Sequence, residues 1–515
     1  MRILAFILFV PLTAGAQRIN HEGRILRDLP VVATPLLFNT PEADAVVSAM
    51  QIMPRDNAWN EDISQRPLLA NSAAMIARVK SDLAVNTGRQ NLRLFSEMNY
   101  ALVPDSQPTL PITFFQYPGE SDLDGGIYPT SLYPIPPNLP VEGWPVETGI
   151  LTNDEWQQDI NGTGGDRHSI IVKPGAGFLW ETWQQKRTGS AWKAANGAKW
   201  NLASNASRPV GWTSADAGGL AMFPALVRHD ECQRGMVEHA LRLIVKNTRL
   251  GPIYPATHQA SNPETSDPDV PAMGQRFRLK ASFVIPANWS IQEKAVLLAL
   301  KKYGAIVTDN GGFFSVSITP DNRFPVDCFS HIRNSIDISN FKVVQTTGAT
   351  AGPRSPGAPV ANAGADQRIA AGTTANLTGN VTAPGAVTIQ WKLYSGPAAV
   401  VLGNASSATT TAAFSVPGIY TLMLSATDGV HAVAYDAAFI TVTLTPSVTT
   451  VGNDIHVAFP TVIGHHYRVQ KSGDLAEWST LVDNLSGSGG ILIVTDAGVL
   501  ASSAKRQFYR VVVLD

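Results

Sequence analysis

The sequence predicts a mixed, β-dominated fold, in which a large β-rich α+β domain at 17–345 precedes two small β-domains. Short runs of Val, Ile and Thr alternate with polar residues, as they do in half-buried strands. The chain has 42 Gly and 35 Pro but only 16% charged residues, a composition typical of loop-rich exported proteins. Between the large and small domains, 346–358 is rich in Gly, Pro, Thr and Ala, which predicts an extended linker.

The N-terminus has the features of an export signal. A single Arg precedes an apolar run that ends in Ala14-Gly15-Ala16, the small-x-small form of a signal-peptidase site. The run is too short for a permanent membrane anchor. We therefore expect 1–16 to be removed and the protein to be secreted, periplasmic or at the cell surface, without membrane insertion. The alternative is a buried N-terminal strand.

Two segments of the large domain have helical spacing. In 72–84, Met75 and Val79 fall on one face. In the second, Ser290 and Glu293 have the spacing of an S-x-x-E capping box, and Gly304 supplies a stop. Strands are expected at 111–116, 168–173, 177–183, 238–246, 276–285, 305–309 and 313–318.

Charge and motifs exclude several classes of function. The formal net charge is −2, so no overall field attracts nucleic acid or an anionic membrane. The chain lacks a G-x-S-x-G elbow, an H-E-x-x-H motif, a P-loop and a C-x-x-C pair. No cofactor is therefore predicted. Cys232 and Cys328 form either one disulfide or two buried thiols.

The segment 359–445 contains the strings PVANAGADQRIAAGTTANLTG, WKLYSGP and VPGIYTLMLSATDG. It resembles an immunoglobulin-like module of the PKD type, with Trp391 at the core position and Tyr420 after a Pro-Gly turn. The resemblance implies an appendage of a secreted carbohydrate-active protein, whose activity lies upstream. The segment 446–515 resembles, more loosely, a small fibronectin-like C-terminal unit.

Polar clusters beside aromatic residues are the first candidates for function. Asp56 and Asn60 surround Trp59, as in a cleft where an indole stacks on a sugar and polar groups bind its hydroxyls; the alternative is that Trp59 belongs to the core. Asp166 and His168 stand where a loop enters a predicted strand, a frequent position for functional groups. They could equally have structural roles.

Glu181 lies between two tryptophans in FLWETWQQ (178–185). On a strand, Trp183 shares its face and Trp180 points the opposite way. A carboxyl group desolvated by indoles has a raised pKa, which suits a general acid. The alternative is a surface glutamate on an amphipathic strand.

The most distinctive string of the large domain is GWTSADAGGLAMFPALVRHDE at 211–231. Together with GDRH, YPATHQAS (254–261), MGQRFRLKAS (273–282) and KKYGAIVTDNGG (301–312), it resembles a poorly characterised family of exported bacterial proteins. The resemblance covers roughly 50–320. It implies a shared enzyme-like or binding domain and assigns no residue roles.

These observations favour a secreted, modular enzyme that hydrolyses polysaccharides with paired carboxyl groups in an aromatic-lined cleft. The predicted catalytic pair is Asp216 and Asp230, with Glu181 in reserve, whereas Asp309 is expected only to form a turn. The predicted substrate-binding residues are Trp59, Asp56, Asn60, Trp212, Asp166, His168, Glu231 and His258.

Two other functions stay open. The large domain could be a non-catalytic surface protein that binds glycan or protein, so its partner would be a polysaccharide substrate or a surface glycan, and not nucleic acid. Alternatively, Asp166, His168 and His258 could supply mixed oxygen and nitrogen ligands for a metal-dependent hydrolase or oxidase.

Overall fold

A computed structural model describes most of the chain, namely residues 18–146, 148–260, 265–345, 359–429, 433–444, 446–501 and 506–514. The described residues fall into two compact units, one containing 20–345 and the other formed mainly by 359–514. The predicted export signal and linker, 1–16 and 346–358, lie outside the described residues. Among the described helices, none is long and apolar enough to span a bilayer.

The large domain contains many short strands and a few helices. Its helices are α1 (Pro41–Ser48), α2 (Ser72–Asp82), α3 (Asn153–Gln158), α4 (His229–Arg234), α5 (Ile291–Lys302) and α6 (Ser330–Ser335). The strands that precede residue 345 are β1 (Arg18–Ile19), β2 (Ile25–Leu26), β3 (Leu36–Leu37), β4 (Arg93–Ser96), β5 (Ala101–Leu102), β6 (Leu110–Phe114), β7 (Thr130–Tyr133), β8 (Ser169–Lys173), β9 (Phe178–Trp183), β10 (Lys186–Thr188), β11 (Ala191–Ala194), β12 (Asn196–Asn201), β13 (Leu241–Val245), β14 (Arg276–Leu279), β15 (Ala305–Asn310), β16 (Ser315–Ile318) and β17 (Phe341–Val343).

Three sheets organise this unit. A mixed six-stranded sheet has the order β17-β14-β15-β13-β16-β4, in which β13 pairs parallel to β15 and β16 pairs parallel to β4. A five-stranded sheet has the order β12-β9-β8-β5-β3, and a four-stranded sheet has the order β10-β11-β6-β7. The predicted β-dominated fold with few helices is confirmed.

The two predicted helices form where their sequence spacing places them. Met75 and Val79, four residues apart on α2, are both buried. At the start of α5, the Ser290 hydroxyl accepts from the Glu293 amide at 3.0 Å, and the Glu293 carboxylate accepts from the Ser290 amide at 3.0 Å. The predicted capping box is present and satisfies two backbone donors that the helix leaves unpaired.

The large core packs around the six-stranded sheet. On β13, Leu241, Leu243 and Val245 are fully buried, and so is the charged residue between them, Arg242. A second core lies between the other two sheets, with Phe114 and Trp180 among its members. A buried Arg within an apolar strand requires partners, because an unpaired buried charge is strongly unfavourable.

Cys232 and Cys328 are both buried and carry free thiols. Of the two alternatives that the sequence left open, the structure therefore contains the pair of thiols. No loop between α4 and the segment before α6 is closed by a covalent bond at these positions.

The second unit is built from strands alone, apart from one short turn of 3-10 helix. Its strands are β18 (Val360–Asn362), β19 (Gln367–Ala370), β20 (Thr374–Thr378), β21 (Asn380–Thr382), β22 (Thr388–Ser395), β23 (Val400–Leu402), β24 (Thr409–Phe414), β25 (Gly418–Thr427), β26 (Ala434–Thr443), β27 (Ser447–Val451), β28 (Asp454–Pro460), β29 (His466–Ser472), β30 (Ser479–Ser486), β31 (Ile491–Asp496) and β32 (Phe508–Val513).

These strands enclose two separate cores. Strands β18 to β26 surround Trp391, whose indole donates to the Ala408 carbonyl at 2.9 Å, and Tyr420, whose hydroxyl donates to the Val416 carbonyl at 2.7 Å. Strands β27 to β32 surround a smaller core that includes Tyr467. Trp391 and Tyr420 occupy the buried positions that the PKD resemblance implies.

Candidate functional site

The buried Arg242 is the centre of a cluster of charged side chains. Its guanidinium pairs with both oxygens of Asp216, at 2.9 and 2.8 Å, and also donates to Asp309 at 2.9 Å. Asp216 is fully buried, whereas the side chain of Asp309 is 25% exposed. The bidentate pair therefore holds Arg242 in place, and Asp309 connects the cluster to solvent.

A β-bulge brings Asp309 onto the face of Arg242. The pairing of β13 with β15 shifts register between Leu243 and Ile244, so that Ile244 pairs with Asp309 and Thr308 is the extra residue. Because side chains alternate along a strand, this insertion exchanges the two faces beyond it. The prediction that Asp309 only forms a turn is therefore wrong, since it lies within β15 and pairs with Arg242.

Glu97 enters the cluster from the end of β4. Its carboxylate accepts from the Ser317 hydroxyl at 2.8 Å, and the same hydroxyl accepts from Arg242 at 3.0 Å. A direct approach of 3.8 Å joins Arg242 to Glu97. The Glu97 side chain is 20% exposed, so this carboxyl group is accessible to a ligand.

Glu142 lies between Glu97 and His168. The Glu142 amide donates to the His168 carbonyl at 2.8 Å, and the next amide, of Gly143, donates to the Glu97 carbonyl at 2.9 Å. The Glu142 carboxylate accepts from both the backbone and the ring Nδ1 of His168, at 3.0 and 2.8 Å. It is 16% exposed, so three carboxyl groups of the cluster reach solvent.

The surroundings push the pKa values of these carboxyl groups apart. Burial, with a contribution from the charge of Glu142, raises the pKa of Glu97 to about 7. Burial together with the charge of Asp216 raises the pKa of Asp309 to about 6. Burial alone would also raise the pKa of Glu142, but the charge and hydrogen bonds of His168 outweigh it and lower that pKa.

His168 supplies the positive charge that keeps Glu142 ionised. Burial would lower the pKa of His168, yet the neighbouring Glu142 raises it to about 9. Its second ring nitrogen, Nε2, contacts the Ala215 carbonyl at 2.9 Å. Both ring nitrogens are therefore occupied, and His168 acts through Glu142 without a free nitrogen for substrate.

Glu181 is buried beside this cluster, on the face of β9 opposite Trp180 as predicted. Its carboxylate accepts from the backbone amides of Met222 and Phe223 at 2.8–3.1 Å. Burial raises its pKa to about 7, although these two hydrogen bonds partly counteract the increase. The alternative of a surface glutamate is wrong, because Glu181 has no exposed area.

The predicted catalytic pair lies in two different networks. Asp216 pairs with Arg242, whereas Asp230 pairs with Arg234 at 2.6 Å and lies 3.6 Å from Arg228. Both carboxylates are almost completely buried. The structure does not bring them together, and their catalytic roles stay predictions without a shared substrate-facing surface to support them.

Glu231 belongs to the network of Asp230. It pairs with Arg228 at 2.8 Å and with His239 at 3.1 Å, and these charges outweigh burial and lower its pKa well below the usual range. A carboxylate so fully paired has little capacity left for a sugar hydroxyl. Its predicted role in substrate binding therefore has no geometric support.

The residues of 54–64 have mainly structural contacts. Trp59 is buried in the large core, which agrees with the alternative interpretation. The amide of Asn60 donates to the carbonyls of Ile52 and Pro54, both at 2.9 Å. Asp56 is half-buried and accepts from Asn205 at 2.9 Å.

Aromatic side chains flank the charged cluster on one side. Trp183, on the same face of β9 as Glu181, is half-buried, and its indole donates to Asp166 at 3.1 Å. Its ring stacks on Tyr117, with centroids 6.1 Å apart. Asp166 is exposed and contributes to the raised pKa of His168, so the predicted pair of Asp166 and His168 does share one region.

His258 and Trp212 lie along the same loop as Asp216. His258 Nδ1 contacts the Ala217 carbonyl at 2.8 Å and is half-buried. Trp212 is half-buried under the guanidinium of Arg208, 5.5 Å from its ring centroid. Both residues are close in sequence or contact to the cluster, but no contact of either with its exposed carboxyl groups is found among the described residues.

The arrangement of ligand atoms does not favour a metal at the predicted residues, because both nitrogens of His168 already have partners. A different group, Asp44, His229 and Asp321, brings three possible ligand atoms within 4.8 Å of one another. The guanidinium of Arg323 pairs with both carboxylates there, so an organic cation already supplies the positive charge.

Sequence reasoning missed Glu97, Glu142 and Arg242. The available signal was Arg242, a charged residue within the apolar run LRLIV, which must find a partner if the strand is buried. Glu97 and Glu142 have no comparable local signal. Their roles depend on contacts with residues far away in sequence.

Comparison with known proteins identifies one part of the chain. Residues 363–442 match the family model of the PKD domain, so this segment is a PKD domain, as its sequence resemblance predicted. No curated protein matches the chain. Among solved structures, a chimeric titin Z1Z2 functionalized with a KLER exogenous peptide from decorin is 15% identical and covers 30% of this chain and 96% of its own, with a TM-score of 0.15. This score is too low to support an argument.

Proposed function

We propose that the protein is a secreted, modular enzyme that hydrolyses glycosidic bonds with the carboxyl groups of Glu97 and Glu142. The observation that carries this proposal is the opposite direction of their two pKa shifts within one part-exposed cluster. Glycoside hydrolysis requires one carboxyl group that is protonated and one that is ionised at the working pH. The PKD domain is consistent with a carbohydrate substrate but says nothing about chemistry.

Glu97 takes the role of the general acid. With a pKa of about 7, it is largely protonated in slightly acidic solution and donates its proton to the glycosidic oxygen as the bond to the anomeric carbon breaks. Glu142 is ionised and assists attack at that carbon. Its charge is held by His168, which is therefore a positioning residue, and the adjacent Tyr117–Trp183 pair offers a surface for a sugar ring.

This assignment replaces Asp216, Asp230 and Glu181 as the proposed catalytic groups. The physical reason is accessibility: these three carboxyl groups are buried and already bonded to arginines or backbone amides, whereas Glu97 and Glu142 retain exposed surface. Asp216 and Glu181 then have supporting roles, since they fix Arg242 and the segment at Met222.

The test is a pH profile of reducing-sugar release from a panel of polysaccharides. We expect kcat/KM to fall above about pH 7, where Glu97 loses its proton, and Glu97→Gln to lower kcat by at least ~100-fold because general acid catalysis is lost. Glu42→Gln, which changes an exposed glutamate at the start of α1, serves as the matched control and keeps full activity.

A folded Glu97→Gln variant with unchanged kcat on a substrate that the wild type cleaves would refute the assignment. Glycan binding without any turnover by the wild type would instead favour the non-catalytic alternative. Both outcomes are read from the same panel when binding and hydrolysis are measured together.

A further inference from the structure

A small cavity lies apart from the charged cluster, walled by aromatic side chains. Trp59, Trp200 and Tyr254 line it together with Leu220 and Ala221. Its volume is about 40 Å³, roughly three times the space that one water molecule needs. It can therefore hold a group of a few non-hydrogen atoms, but not a whole sugar ring.

The lining of the cavity is neutral. Among the described residues that form it, none is an Asp, Glu, Lys, Arg or His. A charged ligand group would lose hydration there without gaining a counter-charge, so sulfate and carboxylate groups are disfavoured. Apolar and aromatic walls instead suit a methyl group, and the remaining polar lining comes from serine and asparagine side chains.

One hydrogen-bond donor in the cavity wall has no partner. Trp200 is 92% buried (8% exposed), and its Nε1–H has no acceptor among the described residues. An indole N–H can only donate, so it requires an oxygen or nitrogen acceptor when it is buried. The wall thus combines an apolar surface with a single donor whose acceptor is missing.

We propose that this cavity binds the acetamido group of an N-acetylated amino sugar. The methyl group packs against Leu220 and Ala221, and the carbonyl oxygen accepts from the Nε1–H of Trp200. The sugar ring stays at the mouth, where Asn205 is held by hydrogen bonds with Asn57 and Asp56, each 2.9 Å long. This inference rests on the proposed function, since it names the class of glycan that the same enzyme takes.

The cavity and the charged cluster share one loop. Gly219, Leu220 and Ala221 line the cavity, while Asp216, three residues earlier, pairs with Arg242. On the other side of the cavity segment, the Met222 amide donates to Glu181. A glycan that fills the cavity therefore contacts the loop that also supports the catalytic carboxyl groups.

The test compares two tetrasaccharides that differ at one position of each sugar. Chitotetraose carries acetamido groups where cellotetraose carries hydroxyls. Binding is measured by isothermal titration calorimetry with the full-length Glu97→Gln protein, so that hydrolysis does not interfere. We expect chitotetraose to bind at least ~10-fold more tightly than cellotetraose.

Two variants examine the cavity itself in that background. Trp200→Phe keeps an aromatic ring but removes the donor, and we expect it to reduce the preference for chitotetraose by about 3- to 10-fold. Ala206→Leu adds bulk at an exposed position of the cavity wall and should abolish the preference without affecting the core. Circular dichroism and thermal unfolding confirm that each variant is folded.

Equal binding of the two tetrasaccharides, or a preference that survives in a folded Ala206→Leu variant, would overturn the inference. Failure of the proposed function gives a different result, namely selective binding of chitotetraose with no hydrolysis by the wild type. Hydrolysis of cellotetraose alone, without a preference for acetamido groups, would retain the enzyme and reject this site.

Discussion

His168 shows at the level of one residue how the structure fixes a charge. Its two ring nitrogens contact two acceptors, the Glu142 carboxylate at 2.8 Å and the Ala215 carbonyl at 2.9 Å. Only the doubly protonated imidazole can donate to both. The cation is therefore the form that fits, which agrees with its pKa of about 9 in a buried position.

The stability of the large domain should depend on this proton. The pKa of His168 is higher in the folded chain than its value of about 6.5 in an unfolded one, so its stabilising contribution is complete below about pH 6.5 and is lost as the pH rises through about 9. We expect His168→Gln to lower the free energy of unfolding at pH 6 by up to about 3 kcal/mol and to flatten its decline between pH 6.5 and 9.

Urea denaturation at pH 6, 7.5 and 9 measures this dependence. His331→Gln is the matched control, because its partner Glu293 is buried but the histidine side chain itself is 51% exposed, where an ion pair contributes little. If the wild type and His168→Gln lose stability in parallel over this range, the buried ion pair does not contribute as inferred.

At the level of elements, Arg242 joins parts of the fold that are distant in the sequence. It lies on β13 and contacts Asp309 on β15, Ser317 on β16 and Asp216 in the loop at 211–222. These contacts fix the neighbouring strands and the loop relative to each other. The geometry of the carboxyl groups therefore depends on one guanidinium.

Arg242→Met tests this dependence. The substitution leaves the carboxylate of Asp216 buried without a counter-charge, so we expect a loss of about 3–5 kcal/mol in the free energy of unfolding. The double variant with Asp216→Asn should recover part of that loss, because it removes the unpaired charge. Equal stability of Arg242→Met and the wild type in urea would show that the cluster does not support the fold.

The elements themselves were largely predictable, whereas the cluster was not. Alternation of apolar residues predicts strands such as β9 and β13, and the Ser290–Glu293 spacing predicts the start of α5, because each depends on neighbours within a few residues. The cluster depends on pairs 67 residues apart, Arg242 with Asp309, and 220 apart, Glu97 with Ser317. It also depends on a bulge in β15, which no local pattern indicates.

At the level of the whole molecule, the proposed activity and the β-sandwich appendages belong to different units. The cores of the large domain contain only residues before 345, and the cores around Trp391 and Tyr467 contain only residues after 359. All the proposed catalytic and positioning residues lie in the first unit. A unit with its own core can fold on its own.

The fragment 20–345 should therefore fold and keep its activity. Its described core residues make no use of the appendages for burial, so we expect differential scanning calorimetry to show a transition within a few degrees of the corresponding one in the full chain. Its kcat on a soluble oligosaccharide should match that of the full chain, because Glu97, Glu142 and His168 are all present. The fragment 359–515 is the complementary control and should unfold at the second transition without any activity. An aggregated 20–345 fragment, or a soluble one without activity, would show that the enzyme site needs the second unit, contrary to the separation of their cores.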